Sequence, residues 1–311
     1  MDQPTTVELR KHRVSSAAPE SPPSSSLFVV TRIEHALLSA LHPGEAHTPP
    51  RLFEAIRHAL FPGGGRLRPK LCLAISSACG EHDSSLAEAA AASVEMIHCA
   101  SLVHDDLPCF DDADTRRGLP TVHRAFGESI AVLTGDQLIV LAFEHLAHTA
   151  AASAGGVRKL PSMISLLARG AGAPFGLIAG QAWESEPRVD AALYRRAKTG
   201  ALFEAAAALG AVAAGASPQA WAVVGARIGE AYQVADDILD VCGDASRAGK
   251  PLGQDAAHGR PNAAMSLGVK EARRLFDRLV GEAMDAIPAC VDPEPVRLWV
   301  REAARRARAA L

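Results

Sequence analysis

Residues Tyr232-Gln233-Val234-Ala235-Asp236-Asp237-Ile238-Leu239-Asp240 run without a glycine or proline and carry the period of a helix. Asp236 and Asp240 are four apart and share one face, with Gln233 one turn before Asp236 on that face. Asp237 is offset by about 100° and flanks them. No Lys or Arg lies within four positions of the three acids. On an ordinary surface helix such stacked like charges are destabilising. The apolar flanks and the absence of a nearby basic residue in the sequence together describe a core helix that aims acids at a cation.

The rest of the chain has the same helical character. Aromatic residues are 5% of 311, alanine is abundant, and no stretch sustains strand-like alternation. Apolar spacing predicts helices over 29–41, 49–60, 67–79, 85–106, 128–149, 157–171, 190–215, 217–242, 262–287 and 293–310. Pro49 and Pro50 suit a helix start and Gly80 a stop, while Gly63-Gly64-Gly65 and Gly118-Leu119-Pro120 punctuate. The expected fold is all-α, a single large helical domain over 28–311. Residues 1–27 are expected to be a disordered tail. A net charge of -3 with scattered basic residues excludes a nucleic-acid stripe. The cysteines at 72, 79, 99, 109, 242 and 290 share no metal-ligand spacing, so reduced thiols in the cytoplasm are expected. No segment reads as a signal peptide or a transmembrane helix: Arg10, Lys11 and Arg13 are followed by Ser and Pro, and the apolar run 201–216 is rich in Ala and Gly.

A second acidic cluster, Asp105-Asp106-Leu107-Pro108-Cys109-Phe110-Asp111, follows a helical run through Met96, Ile97, Ala100, Ser101 and Val103. Pro108 disfavours helical backbone at Leu107, so the aspartates fall at a helix end. Acids at a C-terminus oppose the helix dipole, and a bound cation reverses that cost. Carboxylates plus substrate phosphate oxygens are the ligand set of Mg²⁺, for which the Cys109 thiolate is a poor ligand. Arg116-Arg117-Gly118 offers forked donors to phosphate, and Lys198-Thr199-Gly200 adds a point charge and a hydroxyl. Lys250 and Arg260 bracket Gly253 and Asp255 in a glycine-rich stretch suited to closing over a charged ligand. The pattern points to an enzyme acting on a diphosphate.

In order and spacing, these motifs resemble the trans-isoprenyl diphosphate synthases over nearly the whole chain from about residue 29, and within them the bacterial geranylgeranyl type of carotenoid synthesis. The resemblance implies a helical bundle around a deep central cavity, a homodimer, and up to three Mg²⁺ ions once substrate is bound. It implies metal binding by Asp105, Asp106 and Asp111 on one side and by Asp236 and Asp240 on the other, with Asp237 beside them in the catalytic site. Arg116, Lys198, Gln233 and Lys250 would meet the allylic diphosphate, with Arg260 in the closing loop, and Thr199 and Gln233 would shield the allylic cation. Arg68, His98 and Arg117, with neighbouring Arg66, would hold isopentenyl diphosphate.

Two departures stand out. The family's usual Gly-Gly-Lys-Arg-x-Arg-Pro reads Gly63-Gly64-Gly65-Arg66-Leu67-Arg68-Pro69 here, so the lysine is Gly65. Arg260 stands where a lysine is usual, and the following threonine is missing. The implied reaction joins isopentenyl diphosphate head to tail with an allylic diphosphate: dimethylallyl, geranyl or farnesyl. Ala100 and Ser101, five and four residues before Asp105, are small where farnesyl-producing relatives place an aromatic, so a twenty-carbon product is expected. The alternatives are a farnesyl diphosphate synthase, a class I terpene cyclase, or a non-catalytic subunit of a heteromeric synthase.

Overall fold

The computed structural model describes residues 25–42, 45–242 and 262–310. Its centre is a helix of small residues, α10 (Ala201–Ala213), in which every side chain but Glu204 is buried. Small residues let neighbours approach to backbone contact. A Cβ at Gly210 would sit 2.3 Å from the Cys72 carbonyl oxygen, and one at Gly225 would sit 2.5 Å from that of Phe203. Such spacing leaves no room for water, and packing there is at interior density.

Around α10 stand α3 (Leu67–Ala78), α4 (Ser84–Asp105), α7 (Gly156–Ala171) and α11 (Pro218–Cys242). An outer layer adds α1 (Ser25–Leu41), α2 (Pro50–Leu60) and α6 (Glu128–Ala152) over α4, with α5 (Val122–Phe126) against α2 and α6. On the other flank α12 (Ala263–Leu267), α13 (Val269–Asp285) and α14 (Glu294–Ala310) cover α11 and α3. The short α8 (Leu177–Ala182) and α9 (Ala191–Arg195) lie before α10. The strands among the described residues are β1 (Thr115–Arg116) and β2 (Leu119–Pro120), an antiparallel hairpin pairing Arg116 with Leu119.

The all-α expectation holds, and α4 ends at Asp105, as Pro108 requires. Its start is capped by the Asp83 carboxylate, which accepts from the Leu86 N–H at 3.2 Å. Three differences matter. The helix expected over 190–215 is interrupted by a π turn at Arg196–Gly200, and the one over 262–287 breaks at Gly268, where φ is +80°. The helix α1 begins at Ser25, inside the expected tail, while residues 1–24 lie outside the described residues. Finally, α4 and α6 are both long and apolar enough to cross a membrane, contrary to the sequence expectation. The apolar stretch of α4 is 78% buried inside the fold, which accounts for its composition; that of α6 is 39% buried.

Candidate active site

Asp105 closes α4, and Asp106 caps it. The chain then turns so that the Asp111 N–H donates to the Asp105 carbonyl at 3.0 Å, which returns the third acid beside the first. Oδ1 of Asp105 is buried without a hydrogen-bond partner. Burial raises the Asp105 carboxyl above its usual range, opposed by the nearby Lys198 ammonium and reinforced by Asp111. A buried carboxylate oxygen lacking a donor suits a cation.

Asp106 behaves differently. It is buried, and the Arg116 guanidinium grips it through Nε and Nη2 at 2.6–2.9 Å. Asp106 and Arg116 are thus paired with each other, so the metal role expected of Asp106 and the diphosphate role expected of Arg116 both require this pair to part. The β1–β2 hairpin sets this geometry by delivering Arg116 over the end of α4.

In the second cluster Asp236 is half-buried and Asp240 buried on α11. Asp237 is wholly buried, and its carboxylate accepts from Gln233 Nε2 and from the Ala263 N–H, both at 2.7 Å. Its carbonyl accepts from Asn262 Nδ2 at 3.0 Å, and Asn262 in turn caps α12 by accepting from the Met265 N–H. Asp237, expected beside the metal ligands, acts as an anchor: it fastens the start of α12 to α11. An anion at a helix N-terminus satisfies donors that the helix cannot.

The π turn joins the two clusters. Lys198 Nζ lies 3.8 Å from Asp105 Oδ1, while the Thr199 hydroxyl donates to Gln233 Oε1 at 2.5 Å. Successive residues thus reach α4 and α11, and the two aspartate clusters lie on opposite sides of one site. Gly180 makes this possible, since a Cβ there would fall 2.4 Å from Lys198 Cα.

Beside the first cluster is a basic pocket. Arg68 is buried with its Nε unpartnered and its guanidinium 4.5 Å over the Phe203 ring. Burial lowers its pKa. Burial, then the charges of Arg68, Arg117 and Arg116, push His98 well below the usual histidine range, so the ring is neutral. Arg117 has φ +54° and donates through Nη1 to the Gly63 carbonyl at 2.6 Å. Its guanidinium lies against Gly64, where a Cβ would sit 2.6 Å from Cζ. These charges converge on a neutral imidazole, and the unpartnered Nε–H belongs to Arg68, as an anion site requires.

Arg66 does not join them. It is 2% exposed, and its guanidinium binds Glu34, Glu95 and the Leu60 carbonyl at 2.5–2.9 Å. The expectation that it contacts isopentenyl diphosphate is corrected, because its Nε, Nη1 and Nη2 all go to these partners. Ala100 is buried, and the half-buried Ser101 donates its hydroxyl to the His98 carbonyl at 2.8 Å. Lys250 and Arg260 lie outside the described residues.

Sequence reasoning missed Glu184, which follows α8 and contacts Lys198 directly. The signal was faint: an acid four residues after Gly180 in a segment without helical period. Among the described residues, no three acids, histidines or cysteines gather closely enough to hold a metal by themselves. The donor chemistry nonetheless fits Mg²⁺ completed by substrate oxygens.

An all-helical fold with aspartates on two sides of one site and an arginine–histidine pocket alongside defines a metal-assisted enzyme of diphosphates. The polyprenyl synthetase family model matches residues 49–291. A geranylgeranyl diphosphate synthase of Cereibacter sphaeroides is 48% identical over 276 residues, covering 88% of this chain and 95% of that protein. One from Rhodobacter capsulatus is 47% identical, covering 83% and 89%. A geranyltransferase of Helicobacter pylori, solved with magnesium and isoprenyl diphosphate, superposes with TM-score 0.73 at 29% identity over 94% of this chain and 98% of that one. An FPP/GFPP synthase of Zymomonas mobilis gives TM-score 0.71 at 30% identity over 90% and 99%. This chain belongs to the polyprenyl synthetase family, the trans-isoprenyl diphosphate synthases. Its chemistry is the Mg²⁺-dependent head-to-tail joining of isopentenyl diphosphate to an allylic diphosphate, which sets aside the cyclase reading.

Proposed function

We propose that the product is geranylgeranyl diphosphate. The observation that carries this reading is the pair Ala100 and Ser101: a buried methyl group, then a hydroxyl folded back onto its own helix. Neither puts an aromatic floor across the path running down α4 from Asp105. Ala100 lies about 7.5 Å below Asp105 at a rise of 1.5 Å per residue, inside the length of a fifteen-carbon chain. The similarity to the two bacterial geranylgeranyl diphosphate synthases supports the same product.

In this reading Asp105 and Asp111 on one side, and Asp236 and Asp240 on the other, hold Mg²⁺ against the allylic diphosphate. A metal held by these four residues would supply charge neutralisation at the leaving diphosphate. Lys198 adds a cationic contact, and Arg116 joins it by exchanging Asp106 for phosphate. The Thr199 and Gln233 dipoles face the allylic cation. Arg68, Arg117 and neutral His98 hold isopentenyl diphosphate so that its double bond attacks. The proton lost from C2 goes to the departing diphosphate.

We place the enzyme in the cytoplasm, supplying carotenoid synthesis. We also take it to act as a homodimer, joined through the exposed Val132, Leu133 and Val140 of α6. Chromatography of the dephosphorylated products tests the chain length. Geranylgeraniol from wild type, and a shift toward farnesol in Ala100→Phe, are expected. Farnesol as the main wild-type product would overturn the assignment.

A further inference from the structure

The Glu184 carboxylate lies next to the site without belonging to either aspartate cluster. It sits in a short 3₁₀ turn, Trp183–Ser185, with its side chain 13% exposed. Two neutral donors fix it: the Tyr194 hydroxyl at 2.8 Å and Gln181 Nε2 at 3.3 Å. The third contact is the Lys198 ammonium. The same ammonium lies 3.8 Å from Asp105 Oδ1, beyond hydrogen-bond reach of the one oxygen in the first cluster that is buried and lacks a partner. Tyr194 also supports the lysine from below, with Nζ 5.9 Å from its ring centroid.

We infer that Glu184 is a positioning residue whose task is to hold Lys198 off Asp105, so that the Asp105 carboxylate stays open to a divalent cation. This rests on the metal-binding role of Asp105 stated above. The backbone of Lys198 is fixed, because Gly180 packs against its Cα. Its side chain is a flexible stem carrying a compact charge. A lysine beside two carboxylates takes the nearer, and if that one loses its charge it turns to the other. A movement of about 1 Å brings Nζ from its present place to the 2.7–2.9 Å of a charge-assisted bond with Asp105. Such a bond would occupy the oxygen that Mg²⁺ needs, with the added cation repelling the metal. Glu184 thus sets the competition between a built-in cation and a bound one. Tyr194 and Gln181 keep Glu184 from following the lysine.

The test is Glu184→Gln, which keeps shape and the acceptor for Tyr194 but removes the charge. Calorimetric titration with Mg²⁺ in the presence of inorganic pyrophosphate reads binding without turnover. Half-saturation should move up about fivefold or more, the size of a partly buried charge competition. In kinetics the Mg²⁺ requirement should rise likewise, with KM for isopentenyl diphosphate unchanged. In a Lys198→Gln background, where the lysine's own contact to pyrophosphate is already gone, adding Glu184→Gln should shift Mg²⁺ half-saturation no further, because no ammonium is left to take Asp105. Unchanged Mg²⁺ affinity in Glu184→Gln, or the same weakening when Glu184→Gln is added to Lys198→Gln, would overturn the inference. Should Glu184→Gln fail to fold, Tyr194→Phe decides: a smaller weakening of Mg²⁺ binding supports the inference and no change refutes it. Failure of wild type to bind Mg²⁺ with pyrophosphate would instead sink the metal role of Asp105 itself.

Discussion

The two aspartate clusters look alike in sequence and are built differently. In each, the second acid of the adjacent pair is withdrawn into other work. Asp106 is neutralised by Arg116, whose side chain remains 27% exposed. Asp237 is satisfied by an amide and a backbone N–H, with no exposure at all. A guanidinium on a hairpin can trade one anion for another, whereas a backbone N–H at a helix start cannot. The first cluster is therefore adaptable, and the second is a fixed wall. Metal and diphosphate would assemble against that wall, while the hairpin adjusts from the other side.

The largest effects should come where the clusters are equivalent. Asp105→Ala and Asp236→Ala should each lower turnover by about a thousandfold or more, the scale of losing preorganised charge stabilisation, while circular dichroism stays helical. Near-normal turnover at saturating Mg²⁺ in either variant would dissolve the pairing of the clusters.

The contrast between the withdrawn acids comes next. Asp237→Ala leaves the Ala263 N–H buried without an acceptor, and should cost about 1–3 kcal/mol in denaturant unfolding. Asp106→Asn should act mainly on KM for the allylic diphosphate, since it releases Arg116 while a neutral acceptor remains. Equal stability losses and equal KM changes would erase the distinction between adaptable and fixed.

A smaller effect concerns charge without metal. Burial raises the Asp105 pKa, so the folded state disfavours its ionised form. The resulting penalty is present above the folded pKa and vanishes once the acid is protonated in both states, below its unfolded value. Metal-free Asp105→Asn should therefore melt higher than wild type near neutral pH. The gap should close as the pH falls through the carboxylate range. A gap independent of pH would assign the effect to packing.

The smallest change is expected in the basic pocket. Gly65 is exposed, is not held at positive φ, and a Cβ there would meet Leu67 Cγ at 3.3 Å. Gly65→Lys should fold and lower KM for isopentenyl diphosphate about two- to fivefold, one added phosphate contact, leaving the allylic KM unmoved. Equal shifts for both substrates would show that the loop points elsewhere. The neighbouring Gly64 permits no such change, because its φ is +120° and Arg117 fills the space of a Cβ.

Much of this was legible in the chain. The 3.6-residue period of 217–242 and the proline after Asp105 place the second cluster on a helix and the first at a helix end. What the chain could not show was the partner of each acid. Asp106 and Asp237 look like their neighbours, and their fates depend on residues ten and twenty-six positions away. Arg66 was misread for the same reason: its role follows from Glu34 and Glu95, brought in by α1 and α4. Period and punctuation are local properties, and charge pairing is not.

The π turn at Arg196–Gly200 changes how small lengths of chain should be valued. A π turn carries one residue more than an α-helix would need, and each residue turns an α-helix by about 100°. Deleting a single position there would leave a smoother helix with better local geometry. It would also swing Lys198 and Thr199 out of step with the buried face of α10, separating them from Asp105 and Gln233. In α4 or α11 a one-residue deletion damages fold and function together. Here the two part company, and a descendant that lost one residue in this turn could keep its shape and lose its chemistry.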